Sequence, residues 1–533
     1  MRSASLWRAP AGLAVAALLS AAAPASGAGG LARHVARGDS AWADGRYAEA
    51  VAAYDSALAA DPSSIRANYR KAVWFSWGGL LDSALVRIRS ARASDPIDGD
   101  LMLAEARFLA WQGRLKAAVA LYDSVLAASP DRLEAHMGRA QALAWDGRYA
   151  KADSAYLRAL HSSPDEPAAL VGRAQAMEWS GERHLAEALY LHALDNDPND
   201  VHALIGLARL RRQQWRVRSA SQELDRVLTL DPNNHDARLL EREIRAAGHP
   251  QLELGTALSN DSDRNLIWSR TLTTSLALAD GLRGSLGGGL MSASDPVRAS
   301  DRIAGELGLA YAYGSFQLSA AGGLRRLSQP GAFDRSAVNY RTILSARLSR
   351  GIGAGVGFAR HPFDETAFLV GSGLDVGELE ANAESRLTPG LTLSGGAGIA
   401  RLSDGNASRR WTAALTKQLD ARWSVGATGR TLTYERRGVG YFSPDVFRLA
   451  EARGSFSLVL RQWGCSTHVG LGLQQVGRGA AAQLEWRIEQ TLSFGWASAD
   501  QVSLSVGASN SAGSPTTGSY SSITSALVLR FGI

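Results

Sequence analysis

Two rhythms of apolar and polar positions divide the chain. Up to residue 247 the apolar residues keep helical periodicity, and a longer period runs above it. Pro62, Pro96, Pro130, Pro164, Pro198 and Pro232 fall 34 residues apart. Gly45, Gly79, Gly113, Gly147 and Gly181 keep the same step, as do Ala50, Ala84, Ala118, Ala152, Ala186 and Ala220, and Trp77, Trp111, Trp145 and Trp179. Whole phrases return: residues 139–149 read RAQALAWDGRY and residues 173–183 read RAQAMEWSGER. The pattern predicts six units of two helices over residues 31–247, with glycine at the turn inside each unit and proline at its end.

This period and these residues resemble tetratricopeptide repeats. The resemblance implies an α-solenoid in which each helix pair leaves an apolar face that the next pair covers. The recurring alanine lets the second helix approach closely, and Tyr54, Tyr122, Tyr156 and Tyr190 fill the gap between helices. The last unit departs from the pattern, with Trp215 at the glycine position and a charge-rich helix over 236–247, as a capping unit would. Binding in such solenoids usually falls to variable residues of the concave face, so the repeated words are packing positions.

Beyond His249 the helical period ends and segments alternate with period two. In IAGELGLAYAY, Ile303, Leu307, Leu309, Tyr311 and Tyr313 share a face opposite Glu306. In AVNYRTILSARL, Val338, Tyr340, Leu344 and Leu348 oppose Asn339, Arg341 and Arg347. In QLEWRIE, Leu484, Trp486 and Ile488 oppose Gln483, Glu485, Arg487 and Glu489. Aromatics stand near segment ends (Trp268, Trp411, Trp423, Trp463, Trp496, Phe531), and the chain closes on SITSALVLRFGI, apolar on one face through Ile533. An apolar outer face, a charged inner face and interfacial aromatics predict a transmembrane antiparallel β-barrel rather than a soluble sandwich. Sixteen candidate strands fit residues 250–533, the first starting near 251 and the last near 519; twelve or fourteen also give the even number that returns both barrel ends to one side.

Composition and charge narrow the setting. Arg2 and Arg8, the apolar run AGLAVAALLSAAA and the small residues around Ala23, Ala25 and Ala28 form a secretory signal peptide over residues 1–28. Without Arg2 and Arg8 the formal net charge of +6 falls to +4, spread along the chain with no basic block, which argues against nucleic acid as a partner. Cys465 is the single cysteine, so no intramolecular disulfide contributes to stability. No apolar run after the leader reaches the roughly 18 residues of a transmembrane helix.

A secreted solenoid running into a C-terminal barrel resembles the exopolysaccharide exporters, namely the outer-membrane subunit of bacterial cellulose synthase and the poly-N-acetylglucosamine porin. It is also similar to a smaller group of repeat-bearing outer-membrane barrels. GYFSP at Gly440–Pro444 resembles a Gly-Tyr-(Tyr/Phe)-Ser-Pro segment of the cellulose exporter's barrel, although the solenoid here is much shorter. The resemblance implies an outer-membrane channel with its solenoid in the periplasm, polysaccharide as cargo, and synthase components of the periplasm or inner membrane as partners of the repeats. The parity of the strands makes Glu306, Arg341, Arg347, Glu485, Arg487 and Glu489 the candidate lumen residues. Tyr441 and Phe442 are candidates for loop contact with sugar or for packing. The barrel's histidines are His361 and His468, and RHPFDET reads as a turn without a nucleophilic serine, so no enzyme, cofactor or metal is expected. The alternative is an envelope scaffold whose solenoid recruits proteins and whose barrel is mainly an anchor.

Overall fold

The computed structural model describes residues 28–349, 351–388, 390–495, 500–512 and 520–532. Trp496, Ile533 and all of the expected leader except Ala28 lie outside them. Thirteen helices come first among the described residues: α1 (Ala28–Ala43), α2 (Tyr47–Ala60), α3 (Ile65–Trp77), α4 (Leu81–Ser94), α5 (Gly99–Trp111), α6 (Leu115–Ala128) and α7 (Leu133–Trp145). They continue with α8 (Tyr149–Ser162), α9 (Pro167–Ser180), α10 (Arg183–Asn196), α11 (Val201–Gln213), α12 (Val217–Leu230) and α13 (His235–Gly248).

The repeated alanines are the close-contact positions: Ala50, Ala84, Ala118, Ala152, Ala186 and Ala220 are all fully buried. Each recurring tyrosine of α6, α8 and α10 presses on a glycine of a later helix, Tyr122 on Gly138, Tyr156 on Gly172 and Tyr190 on Gly206, where any Cβ would strike the ring. Burial pushes the Tyr122 phenol up to about 12 and the Tyr156 phenol further still. The turn glycines have positive φ, 84° at Gly113 for example, and Trp215 adopts the same left-handed conformation at 61°.

Sixteen strands follow among the described residues: β1 (Gln251–Asp261), β2 (Leu266–Ala279), β3 (Leu282–Ser294), β4 (Ala299–Tyr313), β5 (Phe316–Gln329), β6 (Phe333–Ser349), β7 (Ile352–Pro362) and β8 (Asp375–Thr388). The second half comprises β9 (Leu391–Leu402), β10 (Ala407–Gln418), β11 (Trp423–Tyr434), β12 (Phe447–Leu460), β13 (Trp463–Val476), β14 (Gln483–Gly495), β15 (Gln501–Ser509) and β16 (Ser522–Gly532). Every neighbour is antiparallel, and β1 pairs with β16 from Gln251↔Gly532 to Asp261↔Ser522, so the sheet closes and leaves no edge.

The alternation read from sequence sets the two faces. Leu307, Leu309, Val338, Tyr340, Leu484 and Ile488 are exposed on the outside, with Trp268, Trp411, Trp423 and Trp463 near strand ends. The two ends of the barrel differ. At one, connections shrink to two residues, as at 280–281, 314–315 and 461–462; at the other they run longer, as at 363–374 and 435–446. Register shifts in β2, β6 and β8 all lie at the short-turn end.

The chain divides into two compact units. One runs to Ser180 and includes 195–197; the other joins residues 181–194 and 198–248 to the barrel. The division therefore falls before the change from helical to strand periodicity, because the last helices pack with the barrel. A short helix, α14 (Ala367–Ser372), sits in the connection between β7 and β8.

Candidate functional site

The inward faces of the strands carry the polar chemistry. Glu306 on β4 accepts hydrogen bonds from Arg341 Nη2 (3.0 Å) and Asn339 Nδ2 (3.1 Å) of β6. On β14, Arg487 Nη2 pairs with Glu485 Oε1 (3.1 Å) and its Nε with Glu451 Oε1 (3.2 Å), while Arg453 Nη2 holds Glu451 Oε2 (3.1 Å). The Glu451 and Glu485 side chains are 0% exposed. They can lie flat because β13 offers Gly470 and Gly472, and a Cβ at Gly470 would strike the Glu451 carboxylate. Strict parity could have flagged Glu451 and Arg453 in RLAEARGSF, which lie on the same face as Leu449.

The six parity candidates do not converge on one point. Glu306 and Arg341 form one pair, Glu485 and Arg487 belong to the β12–β14 network, and Glu489 stands opposite His468 and Gly507. Arg347 lies at the short-turn end, its aliphatic chain over Gly181. From β15 through β3 the inward positions are mostly small and uncharged, including Ser503, Ser505, Thr524, Thr271, Ser285 and Gly287. The lumen thus has a charged, ion-paired wall and a smooth, hydroxyl-bearing one.

At the long-loop end two connections fold inside the barrel. Ala367 and Val370 of α14 pack with Met291, Ala293 and Leu327, inward residues of β3 and β5. Leu369 packs on the other side with Val376, Leu402 and Tyr441. Asp364, 5% exposed, accepts from Arg325 Nη1 (3.0 Å) and Arg302 Nη1 (3.3 Å), which fastens the segment to the wall. These arginines, not His361, are the partners of Asp364; His361 Nδ1 lies 2.8 Å from the Pro362 carbonyl oxygen. RHPFDET is therefore the root of an inward-folding segment, more than the simple turn expected from its sequence.

GYFSP joins that segment to the β11–β12 loop. Gly440, at φ 79°, receives the Phe368 ring directly, a contact that any side chain would block. Arg298 stacks on Phe368 at 4.8 Å. Tyr441 is 2% exposed; its hydroxyl donates to Asp404 Oδ2 (2.9 Å) and accepts from Asn406 Nδ2 (2.8 Å), and its ring meets Phe363 and Tyr434. Burial above all, with the Asp404 contact adding to it, pushes this phenol up to about 12. Of the two readings of Tyr441, the geometry gives packing, since a ring so enclosed has no face for a sugar. Phe442 packs edge-on against Phe447 (5.7 Å) and remains half-buried on a cavity of about 800 Å³. Phe368, Tyr434, Tyr520, Glu365 and Glu378 line it too, and burial with the nearby Asp364 and Glu378 raises the Glu365 carboxyl above its usual range.

Among the described residues no group of His, Cys, Asp and Glu is placed to hold a metal ion, and no helix is long and apolar enough to cross a membrane, which leaves crossing by strands open. The class of protein is thus a tetratricopeptide-type solenoid continued by a closed sixteen-strand antiparallel barrel with an apolar exterior. Residues 35–75 and 78–132 match one tetratricopeptide-repeat family model, and residues 109–177 match a second. No curated protein matches the chain. Among solved structures, one similar chain is described as a bacterial polysaccharide outer-membrane secretin, at 11% identity, covering 54% of this chain and 99% of that one, with a TM-score of 0.45. Another is a widely conserved type IV pilus biogenesis factor, at 17% identity over 39% of this chain and 97% of that one, TM-score 0.36. A third is a tetratricopeptide repeat protein of Parabacteroides merdae, at 16% identity over 40% and 84%, TM-score 0.38.

Proposed function

We propose that the protein is an outer-membrane channel that carries a secreted polysaccharide outward, with its repeats in the periplasm. The observation that carries this reading is the lumen: a closed barrel, apolar outside, whose interior sets compensated ion pairs against a hydroxyl-bearing wall. Paired charges present a polar surface without the strong net field that would hold an ion or a polyanion, and this suits a hydrated neutral polymer. The orientation has its own support. Bacterial barrels keep short turns on the periplasmic side and longer loops outside, and the helices join the barrel at its short-turn end. In the periplasm the concave face of the repeats would engage components of the synthase.

The test is export. Cells lacking the protein are expected to lose surface polysaccharide and retain it in the periplasm, with recovery on restoring the full chain. Unchanged surface polysaccharide, together with loss of an envelope complex when residues 31–247 are removed, would favour the scaffold.

A further inference from the structure

The short-turn end of the barrel is joined to the last helices by a specific set of contacts. Trp215 occupies the turn position that is glycine in the five preceding repeats, in the same left-handed conformation at φ 61°. A large side chain there is strained, and such strain persists only where surrounding contacts fix it. The contacts are present. The Trp215 carbonyl accepts the Gly281 N–H (3.1 Å), and its ring lies under the Arg283 guanidinium at 5.2 Å. Arg216, at the N-cap position of α12, makes no side-chain cap; Asp280 of the β2–β3 turn supplies one instead. Its carboxylate accepts the N–H of Arg218 (2.9 Å), the N–H of Ser219 (3.1 Å) and Ser219 Oγ (2.5 Å). Burial works to raise the Asp280 carboxyl, but these hydrogen bonds prevail and hold it below the usual carboxylate range. His184 of α10 closes the contact against Gly314 of the β4–β5 turn and Tyr313 at the end of β4.

Beside this clamp lies a cavity of about 590 Å³ that opens onto the lumen wall. Gln213 and Gln214 line it from the end of α11; Arg347, Asn382 and Glu384 line it from the inward faces of β6 and β8. Gln214 is 3% exposed and its Nε2 has no hydrogen-bond partner, although its Oε1 accepts from Arg216. A buried amide donor left open on a polar cavity is costly unless something accepts from it.

We propose that this cavity is the inlet of the channel, where a hydroxyl-rich, uncharged saccharide segment accepts a hydrogen bond from Gln214 as it passes from the last repeats into the lumen. The inference rests on the channel reading above. Trp215, Asp280 and Arg283 are positioning residues that keep the inlet assembled.

The experiment uses the purified full-length protein in planar bilayers, with cellohexaose added to one side at a time. Blocking events from the solenoid side are expected, each variant being read against its own unblocked current. Gln214→Leu is expected to shorten them roughly fivefold, the loss of one hydrogen bond. Trp215→Gly, which restores the repeat's own residue, is expected to remove the difference between the two sides. Blocks of equal length in the wild type and both variants, or blocks from the long-loop side alone, would overturn the inlet while leaving the channel standing. A wild-type protein that carries no current would remove the channel reading and the inlet with it.

Discussion

Replacing Asp364 with Ala would loosen the inward-folded segment. Asp364 is buried and pairs with both Arg302 and Arg325, whose side chains are 20% and 21% exposed. Removing one partner of a fully buried pair costs about 3–5 kcal/mol, because the opposite charge is left uncompensated. The partial exposure of both arginines places the cost near the lower end, about 3 kcal/mol. Against it stand the buried Leu369, Val370 and Ala367, of which the two larger side chains together supply on the order of 4 kcal/mol. The segment should therefore stay docked on average while its undocked population rises roughly a hundredfold. The assay is the rate of maleimide labelling of a Val370→Cys reporter in a Cys465→Ser background, since labelling of a buried thiol follows the open population. The reporter should label about a hundred times faster with Asp364→Ala, and heat-modifiable barrel mobility should be preserved. An unchanged labelling rate would mean that the arginine pairs do not hold the segment.

Three further outcomes concern the packing of the helices and the outer face of the barrel. Ala152→Leu, at a fully buried close contact, should destabilise the helices by about 1–3 kcal/mol, seen as a lower melting midpoint of the helical circular-dichroism signal. Burial raises the Tyr122 phenol from 10.0 to about 12, so its contribution is present below pH 10 and lost as pH rises to about 12. That amounts to about 3 kcal/mol, and Tyr122→Phe should remove this part of the alkaline loss of helical signal. Leu309→Arg, exposed on the outer face, should cost roughly 2–4 kcal/mol near the bilayer midplane and impair insertion, measured as lost heat-modifiable mobility.

The solenoid was legible because its packing positions recur at a fixed step, and the barrel because period-two alternation separates its faces over sixteen segments. Which face of a strand each charged residue occupies was legible from the alternation, but not how those residues group across strands. Parity places Glu485 and Arg487 inside without saying that Glu451 meets them across the glycines of β13. α14 was hidden because six residues are too short to display a helical period. The role of GYFSP was hidden because Gly440 is explained only by Phe368, which arrives from another loop. Trp215 stood out in the sequence as a departure from glycine, yet its partners, Gly281 of the β2–β3 turn and Arg283 at the start of β3, belong to the barrel and to no repeat pattern.

If the barrel is a conducting channel, its inward arginines face water and set which ions pass. Ion conductance of the purified full-length protein in planar bilayers, wild type beside the triple variant Arg341→Glu, Arg347→Glu and Arg487→Glu, tests this. Discrete current steps are expected for the wild type, with a shift of selectivity toward cations in the variant. A wild-type protein that inserts and carries no current, or a variant that inserts with unaltered selectivity, would rule the channel out.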